Sequence, residues 1–177
     1  MPRLIKNRAL VPDRWPLLRV AETLAALPAE GAVVVPLALW RAERNALTQR
    51  GEIGVWLAPG DDPAELADDV ATLAVIAIDF PQFTDGRGYS KARLLRDRYG
   101  YANELRAVGD ILRDQLFALA TVGFDAFLLR EDQDRAKALA SFDDFRSVYA
   151  PTAGHPSPWF RRRLDSSPLD STRTAEP

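Results

Sequence analysis

Short apolar runs alternate with longer amphipathic segments along the chain from residue 32 onward. Five runs are rich in Val, Ile, Leu, Phe and Ala, and they lie at residues 32–39, 53–58, 73–79, 104–108 and 124–129. Such runs are typical of strands, and the segments between them carry apolar residues at helical spacing. Because strands that alternate with helices through short connections pair in parallel, the pattern predicts an α/β domain with a parallel sheet of about five strands.

The first, second, third and fifth runs are almost continuously apolar. Parallel strands of this kind are usually buried on both sides, so we expect helices on both faces of the sheet. A complete eight-unit barrel needs about 200 residues or more. The chain has 177 residues, which favours an open sheet.

Glycine and proline mark the ends of the predicted helices. Gly51, Gly100 and Gly123 each follow a helical segment and precede a strand, where a left-handed residue can close the helix. Asp62 stands before a proline and predicts the start of the second helix. Residues 110–122 have a continuous apolar stripe and give the strongest helix signal in the chain.

Two flanking segments differ from this central domain, which we place at residues 31–150. Residues 1–30 contain two short apolar stretches around a polar turn and predict a small hairpin followed by a short helix, as an N-terminal appendage. Residues 151–177 are rich in Pro, Ser, Thr, Asp and Arg, and we expect a disordered tail. Within the tail, the segment from Trp159 to Arg163 either docks on a partner or packs back on the domain.

Charge and hydropathy exclude several classes of protein. The formal net charge of -2 gives no general attraction to nucleic acid, so we expect no nucleic-acid partner. No apolar run approaches the roughly 20 residues that cross a bilayer, and we expect no membrane partner. The first ten residues carry three positive charges without an apolar segment behind them, which is not the pattern of a secretory signal. We therefore expect a cytoplasmic protein.

Cysteine is absent, and this limits the possible chemistry. Disulfides, thiolate nucleophiles and Cys-ligated clusters or zinc sites are excluded. The single histidine, His155, lies in the predicted tail, where we expect it to be exposed and without a catalytic role. We predict no metal site. Catalysis, if there is any, would use carboxylates, Arg, Lys, Tyr, Ser or a bound cofactor that the sequence does not identify.

The longest loop after a predicted strand is the best candidate for a binding site, because ligands of open parallel sheets bind outside the carboxyl ends of the strands. This loop spans residues 80–90. Its glycines, its arginine and the following basic helix suit an anion or a phosphate-bearing cofactor. The candidate ligand-binding residues are Asp85, Gly86, Arg87, Gly88, Tyr89, Ser90, Arg93 and Arg113. In the alternative interpretation, Asp85 and the glycines only turn the chain, and Lys91, Arg93 and Arg96 form a solvated helix face.

Two carboxylates at predicted strand ends, Asp79 and Asp110, are the candidate catalytic residues. Neighbouring strands would place them near one pocket, where such a pair can divide acid and base roles. Asp110 has a competing role as a helix cap. Asp79 ends an apolar strand and needs a partner, for which Arg87, Arg93 or Arg113 are available.

Several blocks of the chain together resemble a known bacterial family. They are Asp79-Phe80-Pro81, Phe83-Thr84-Asp85-Gly86-Arg87-Gly88-Tyr89-Ser90, Leu94-Leu95-Arg96, Glu104-Leu105-Arg106-Ala107-Val108-Gly109-Asp110, Asp114-Gln115-Leu116 and Gly123-Phe124-Asp125-Ala126-Phe127. The chain resembles the family known as domain of unknown function 934 over most of residues 3–150. Members are typically encoded beside the sulfite reductase haemoprotein, and some are labelled oxidoreductases. No catalytic residue is established for the family.

The resemblance implies a role in assimilatory sulfate and sulfite reduction and leaves two hypotheses. In the first, the chain is a non-catalytic accessory protein that binds sulfite reductase. In the second, it is a small enzyme or carrier, such as an oxidoreductase, that holds an oxyanion or a phosphate-bearing cofactor at the loop after the third strand. No G-x-G-x-x-G follows a strand, which disfavours an ordinary dinucleotide site. Since no nucleophile stands beside a base, the residues favour the first hypothesis without deciding whether the protein is an enzyme.

Overall fold

A computed structural model of the protein describes residues 3–143. Its strands are β1 (Arg3–Lys6), β2 (Ala9–Pro12), β3 (Val33–Pro36), β4 (Ile53–Leu57), β5 (Val75–Phe80), β6 (Glu104–Gly109) and β7 (Ala126–Phe127). Its α-helices are α1 (Leu37–Thr48), α2 (Arg87–Arg93), α3 (Leu116–Thr121) and α4 (Arg135–Ala140). The predicted tail, with His155 and the segment from Trp159 to Arg163, lies outside the described residues.

All seven strands form one sheet in the order β2-β1-β7-β6-β5-β4-β3. The five strands from β3 to β7 pair in parallel, which confirms the predicted α/β class with its parallel sheet. The N-terminal hairpin of β1 and β2 adds two antiparallel strands beside β7, so the whole sheet is larger than five strands.

The helices pack on one face of the sheet, and the prediction of helices on both faces is wrong. Every buried apolar residue of α1 to α4 belongs to one large core cluster. The cluster on the opposite face consists of strand residues, Leu128 directly after β7 and two residues from the N-terminal segment. The cause is the strand order: β3 to β7 are neighbours in sequence order, so successive right-handed crossovers all fall on the same side.

Residues 13–19 cover the helix-free face and are called the N-terminal strap here. Trp15 and Leu17 of the strap pack against the small cluster on that face, which includes Val34 of β3. The strap also pairs with the outer edge of β3, because the N–H of Val34 donates to the carbonyl of Pro16 at 3.0 Å and the N–H of Leu18 donates to the carbonyl of Val34 at 3.0 Å. The strap therefore explains why the strands are apolar on both sides although helices cover only one.

A network of buried ion pairs attaches the N-terminal strap to the sheet. Arg106 of β6 is 2% exposed, and its Nη1 donates to both carboxylate oxygens of Asp13 at 2.9 and 3.0 Å. The same guanidinium binds Glu104 at 2.7 Å, and Glu104 also pairs with Lys6 at 2.7 Å. Because each buried charge has an opposite partner, the network joins β1, β6 and the strap across the helix-free face.

The helical segments are shorter than the sequence predicts. Asp62 does accept a hydrogen bond from the N–H of Ala64 at 2.9 Å, but it caps a single 3-10 turn, Pro63–Leu66. In the segment 110–122, a 3-10 turn at Arg113–Gln115 precedes the α-helix. The three predicted helix-closing glycines all have positive φ, which confirms that part of the pattern. Among the described helices, none is long and apolar enough to span a membrane.

Candidate functional site

The loops after β4, β5, β6 and β7 meet at one edge of the sheet, which is called the carboxyl-terminal edge here. Asp110 connects three of these loops. Its Oδ2 accepts a hydrogen bond from the N–H of Phe83 at 3.1 Å, and its Oδ1 pairs with Arg130 Nη1 at 2.8 Å. Asp110 thus ties the loops after β5 and β7 to the end of β6. The prediction that it caps a helix is wrong, because the N-cap position of the following 3-10 turn is Leu112 and the carboxylate of Asp110 binds Phe83 and Arg130 instead.

The side chain of Asp79 points toward the helix-free face, away from the three loops that Asp110 connects. Side chains alternate along a strand, so Asp79 lies on the side of Ala77, which belongs to the small cluster. Its carboxylate is 7% exposed and accepts a hydrogen bond from Arg19 Nη1 at 2.6 Å. The predicted partners Arg87, Arg93 and Arg113 do not contact it. Asp79 and Asp110 share no hydrogen-bond partner among the described residues, and their assignment as a catalytic pair stays a prediction.

Phe83 is the most exposed aromatic side chain of the carboxyl-terminal edge, at 55%. Its backbone is nevertheless fixed on both sides. Asp110 accepts from its N–H, and Gln115 Nε2 donates to its carbonyl at 2.9 Å. Gln115 is itself buried, and its Oε1 accepts from the N–H of Leu112 at 2.9 Å. The backbone of Phe83 is therefore fixed by hydrogen bonds, while its apolar ring is exposed to solvent.

Asp85 and Arg87 of the predicted anion loop bind each other. Arg87 Nη2 and Nε donate to Asp85 at 2.6 and 3.0 Å, and the backbone N–H of Arg87 donates to Asp85 Oδ1 at 3.1 Å. These hydrogen bonds lower the pKa of Asp85 from 3.8 to about 2. The guanidinium that the sequence assigns to an anion is engaged by a carboxylate of its own loop.

Gly88 has a packing role that accounts for its lack of a side chain. A Cβ on Gly88 would lie 2.3 Å from Cζ of Phe80, so glycine allows α2 to approach that ring closely. Tyr89 packs edge-on against the same ring, with centroids 5.7 Å apart. A Cβ on Gly86 would meet no atom within 4 Å, and Ser90 is exposed. The role of this loop as a ligand site stays a prediction.

The Asp85 carboxyl is expected to stay ionised down to a pH of about 2. Since its folded pKa lies below the unfolded value, the stabilisation is present above pH 4 and is lost as the pH falls through about 2. Carbon NMR of the carboxyl group against pH measures this directly. Arg87→Gln is the matched variant and should return the pKa toward 3.8. A wild-type pKa near 3.8 would contradict the Asp85–Arg87 geometry.

The other predicted ligand residues are dispersed. Arg93 forms an ion pair with Asp97 at 2.9 Å, one turn along its own helical segment. Arg113 is exposed, and its described contacts are made by its backbone, with Gln133 and Ser141. Neither guanidinium joins the Asp85–Arg87 pair.

Lys91 is a buried residue of this edge, so the alternative interpretation, which places it on a solvated helix face, is wrong for this residue. It is 7% exposed, and its Nζ donates to the carbonyls of Ala58 and Pro59 at 2.6 and 3.1 Å. Burial lowers the pKa of its ammonium group. Lys91 fastens α2 to the loop after β4. Helical spacing alone does not indicate this, because the contact joins residues more than 30 positions apart.

A cavity of about 440 Å³ lies at the opposite edge of the sheet, where the parallel strands begin. Its lining includes Lys6, Glu104 and Asp125. Glu104 pairs with Lys6 and Arg106, and Asp125 pairs with Arg96 at 3.0 Å. The charges of this cavity are therefore neutralised within the protein. Between residues 3 and 143, no three His, Cys, Asp or Glu side chains are grouped so that they could hold a metal ion.

Comparison with known proteins gives a family and no closer relative. The model of the family described as bacterial protein of unknown function, DUF934, matches residues 54–160, about three fifths of the chain. This range includes β4 except its first residue, β5 to β7 and all the loops of the carboxyl-terminal edge. No curated protein and no solved structure matches the chain. The resemblance seen in the sequence is confirmed, and the chain belongs to the DUF934 family of bacterial proteins.

Proposed function

We propose that this protein is a cytoplasmic, non-catalytic accessory protein of assimilatory sulfate reduction that binds the sulfite reductase haemoprotein through its carboxyl-terminal edge. The observation that carries the binding role is Phe83, an exposed aromatic ring on a backbone fixed by Asp110 and Gln115. Aromatic anchors of this kind often dominate protein interfaces, and a rigid backbone reduces the entropy lost on association.

The charges around Phe83 support a binding surface over a catalytic site. Asp110 and Asp132 both pair with Arg130, at 2.8 and 2.7 Å, and Asp85 pairs with Arg87. A general base or an anion-binding arginine must be available to the substrate, whereas these groups engage each other. Exposed ion pairs around an aromatic residue resemble the polar rim of an interface.

The choice of partner rests on the genetic context implied by the family resemblance. Family members are typically encoded beside the sulfite reductase haemoprotein, and this makes that enzyme the first partner to test. The alternative function, an enzyme or carrier for an oxyanion or phosphate-bearing cofactor, requires Arg87 to leave Asp85. It also requires room beside Gly88, where the ring of Phe80 lies. We therefore favour the accessory role.

Phe83→Ser is expected to weaken binding to purified sulfite reductase by about tenfold or more, equivalent to at least about 1.4 kcal/mol, because an anchor ring is lost. Biolayer interferometry with the immobilised reductase measures the affinity. Leu24→Ser is the matched control, since Leu24 is also exposed, at 38%, but lies beside Leu47 and Arg50 at the end of α1.

The control variant should bind the reductase like the wild type. Equal affinities for the wild type and Phe83→Ser would remove Phe83 from the proposed interface. No binding by the wild-type protein would contradict the accessory role itself. Saturable binding of sulfite or phosphate that is lost in Arg87→Gln would favour the alternative function.

A further inference from the structure

Arg19 of the N-terminal strap occupies a small site on the helix-free face. Its Nη1 donates to Asp79 Oδ1 at 2.6 Å, and its guanidinium carbon lies 5.5 Å from the centroid of the Trp56 ring. A buried carboxylate and an aromatic face are the two groups that most often bind a guanidinium in proteins. The chain thus supplies its own cation to a site that could accept one from elsewhere.

One carboxylate oxygen of Asp79 is left unused by Arg19. Arg19 donates to only one of the two oxygens, although a guanidinium can bind a carboxylate through both. Trp56 contributes the face of its ring and no hydrogen bond, because its N–H and a guanidinium are both donors. Arg19 therefore makes fewer hydrogen bonds to Asp79 than a guanidinium can make.

The ion pairs at the two ends of the strap differ in burial. At Asp13, both partners of the ion pair with Arg106 are buried. At the other end, the side chain of Arg19 is 44% exposed, and the next residue, Val20, is 86% exposed. Because Asp79 is buried and needs a positive partner, Arg19 leaves it only when another cation takes its place, and the half-exposed Arg19 side chain can then turn into solvent while Asp13 stays in place.

The site also lies where ligands of parallel sheets bind. Asp79 and Trp56 are near the carboxyl ends of β5 and β4. On the β6 side the partner of Asp79 in register is Val108, whose side chain lies on the same face. The next residue is Gly109, where a Cβ would lie 3.1 Å from Asp79 Oδ1, so glycine keeps that position clear of the carboxylate.

We propose that Asp79 and Trp56 form a binding site for a guanidinium group of another molecule, and that Arg19 is an internal occupant which this group displaces. The proposal does not depend on Phe83 or on sulfite reductase. The guanidinium comes either from an arginine side chain of a partner protein or from a free small molecule, and both sources share the chemistry that Asp79 and Trp56 recognise.

The test follows the indole N–H signal of Trp56 by NMR in the full-length protein, with Trp56→Phe to assign it. The probes are N-acetylarginine amide, which resembles arginine within a protein, and free L-arginine. Sodium chloride at matched ionic strength is the control. The proteins are the wild type, Arg19→Gln, and both of these with Asp79→Asn. Arg19→Ala is a second variant that empties the site without placing an amide there.

In the Arg19 variants we expect a saturable shift of the Trp56 signal. The wild type should show the same shift with about tenfold weaker affinity, because Arg19 competes with the probe for Asp79. Asp79→Asn should abolish both responses. Equal affinity for the two probes supports an arginine of a partner protein, whereas tighter binding of L-arginine supports a free small molecule.

If the Trp56 signal of the wild type does not shift at a probe concentration about thirty times the dissociation constant of the Arg19 variants, the proposal is overturned. Arg19 would then be a permanent structural contact. Binding that survives Asp79→Asn would overturn it as well. Absence of a response in both Arg19 variants, with the proteins folded, would show that Asp79 and Trp56 do not bind guanidinium.

Discussion

Replacing Arg106 with alanine is expected to lower the free energy of unfolding by about 3–5 kcal/mol. Arg106 is 2% exposed and binds the carboxylates of Asp13 and Glu104, both of which are also buried. Its removal leaves two negative charges close together inside the protein, and among residues 3–143 Lys6 is the one positive side chain still paired with them. Urea-induced unfolding followed by circular dichroism measures the change.

Arg93→Ala is the matched control for this prediction, because it also removes an arginine from an ion pair. The pair of Arg93 with Asp97 is largely exposed, so we expect a change within about 0.5 kcal/mol. If Arg106→Ala lowered the free energy of unfolding as little as Arg93→Ala, the ion network around Arg106 would be open to water. The strap would then have no firm attachment to the sheet.

Gly109→Ala is expected to destabilise the protein by about 2–5 kcal/mol, through backbone strain and overpacking together. Gly109 has a φ of +105°, which L residues rarely adopt. A Cβ there would lie 2.3 Å from the carbonyl oxygen of Phe80, which accepts a hydrogen bond from the N–H of Asp110 at 2.7 Å. The backbone must move at the point where β5 and β6 end, and thermal unfolding should show a clear decrease in Tm.

Gly60→Ala is the corresponding control in the loop after β4. A Cβ on Gly60 would meet no atom within 4 Å, and its φ is not in the left-handed region. We expect its stability to stay within about 1 kcal/mol of the wild type. Similar losses in the two variants would show that the close approach of Gly109 to Phe80 is not what requires glycine.

The parallel sheet could be predicted because its signal is local. Each strand from β3 to β7 lies within or overlaps a predicted apolar run, and the hairpin of β1 and β2 surrounds a polar turn. The position of the helices could not be predicted from the same pattern, because it depends on strand order. The strap was missed since residues 13–19 are extended and carry no periodicity, while their contacts reach as far as Arg106.

The position of the candidate site in the fold was predicted correctly, but the contacts between its residues were not. The loop after β5 does lie at the carboxyl-terminal edge, and Asp85 accepts from the N–H of Arg87 in a local turn, as in the alternative interpretation. That interpretation is wrong for Gly88, which lies within α2 against Phe80, and for Lys91, which is buried. Asp79 has the arginine partner that a buried carboxylate requires, but that partner, Arg19, lies 60 residues earlier. Phe83 could have been found from sequence as an aromatic residue between polar neighbours in a loop. Its fixed backbone depends on Asp110 and Gln115 and is visible only in the structure.

Growth of a strain that lacks the gene tests the accessory role most directly. We predict no growth with sulfate as the sulfur source and normal growth with sulfide or cysteine. Genes for the wild type and for Leu24→Ser should restore growth on sulfate, whereas Phe83→Ser should not restore it at equal protein levels. Normal growth of the deletion strain on sulfate would contradict the proposed function.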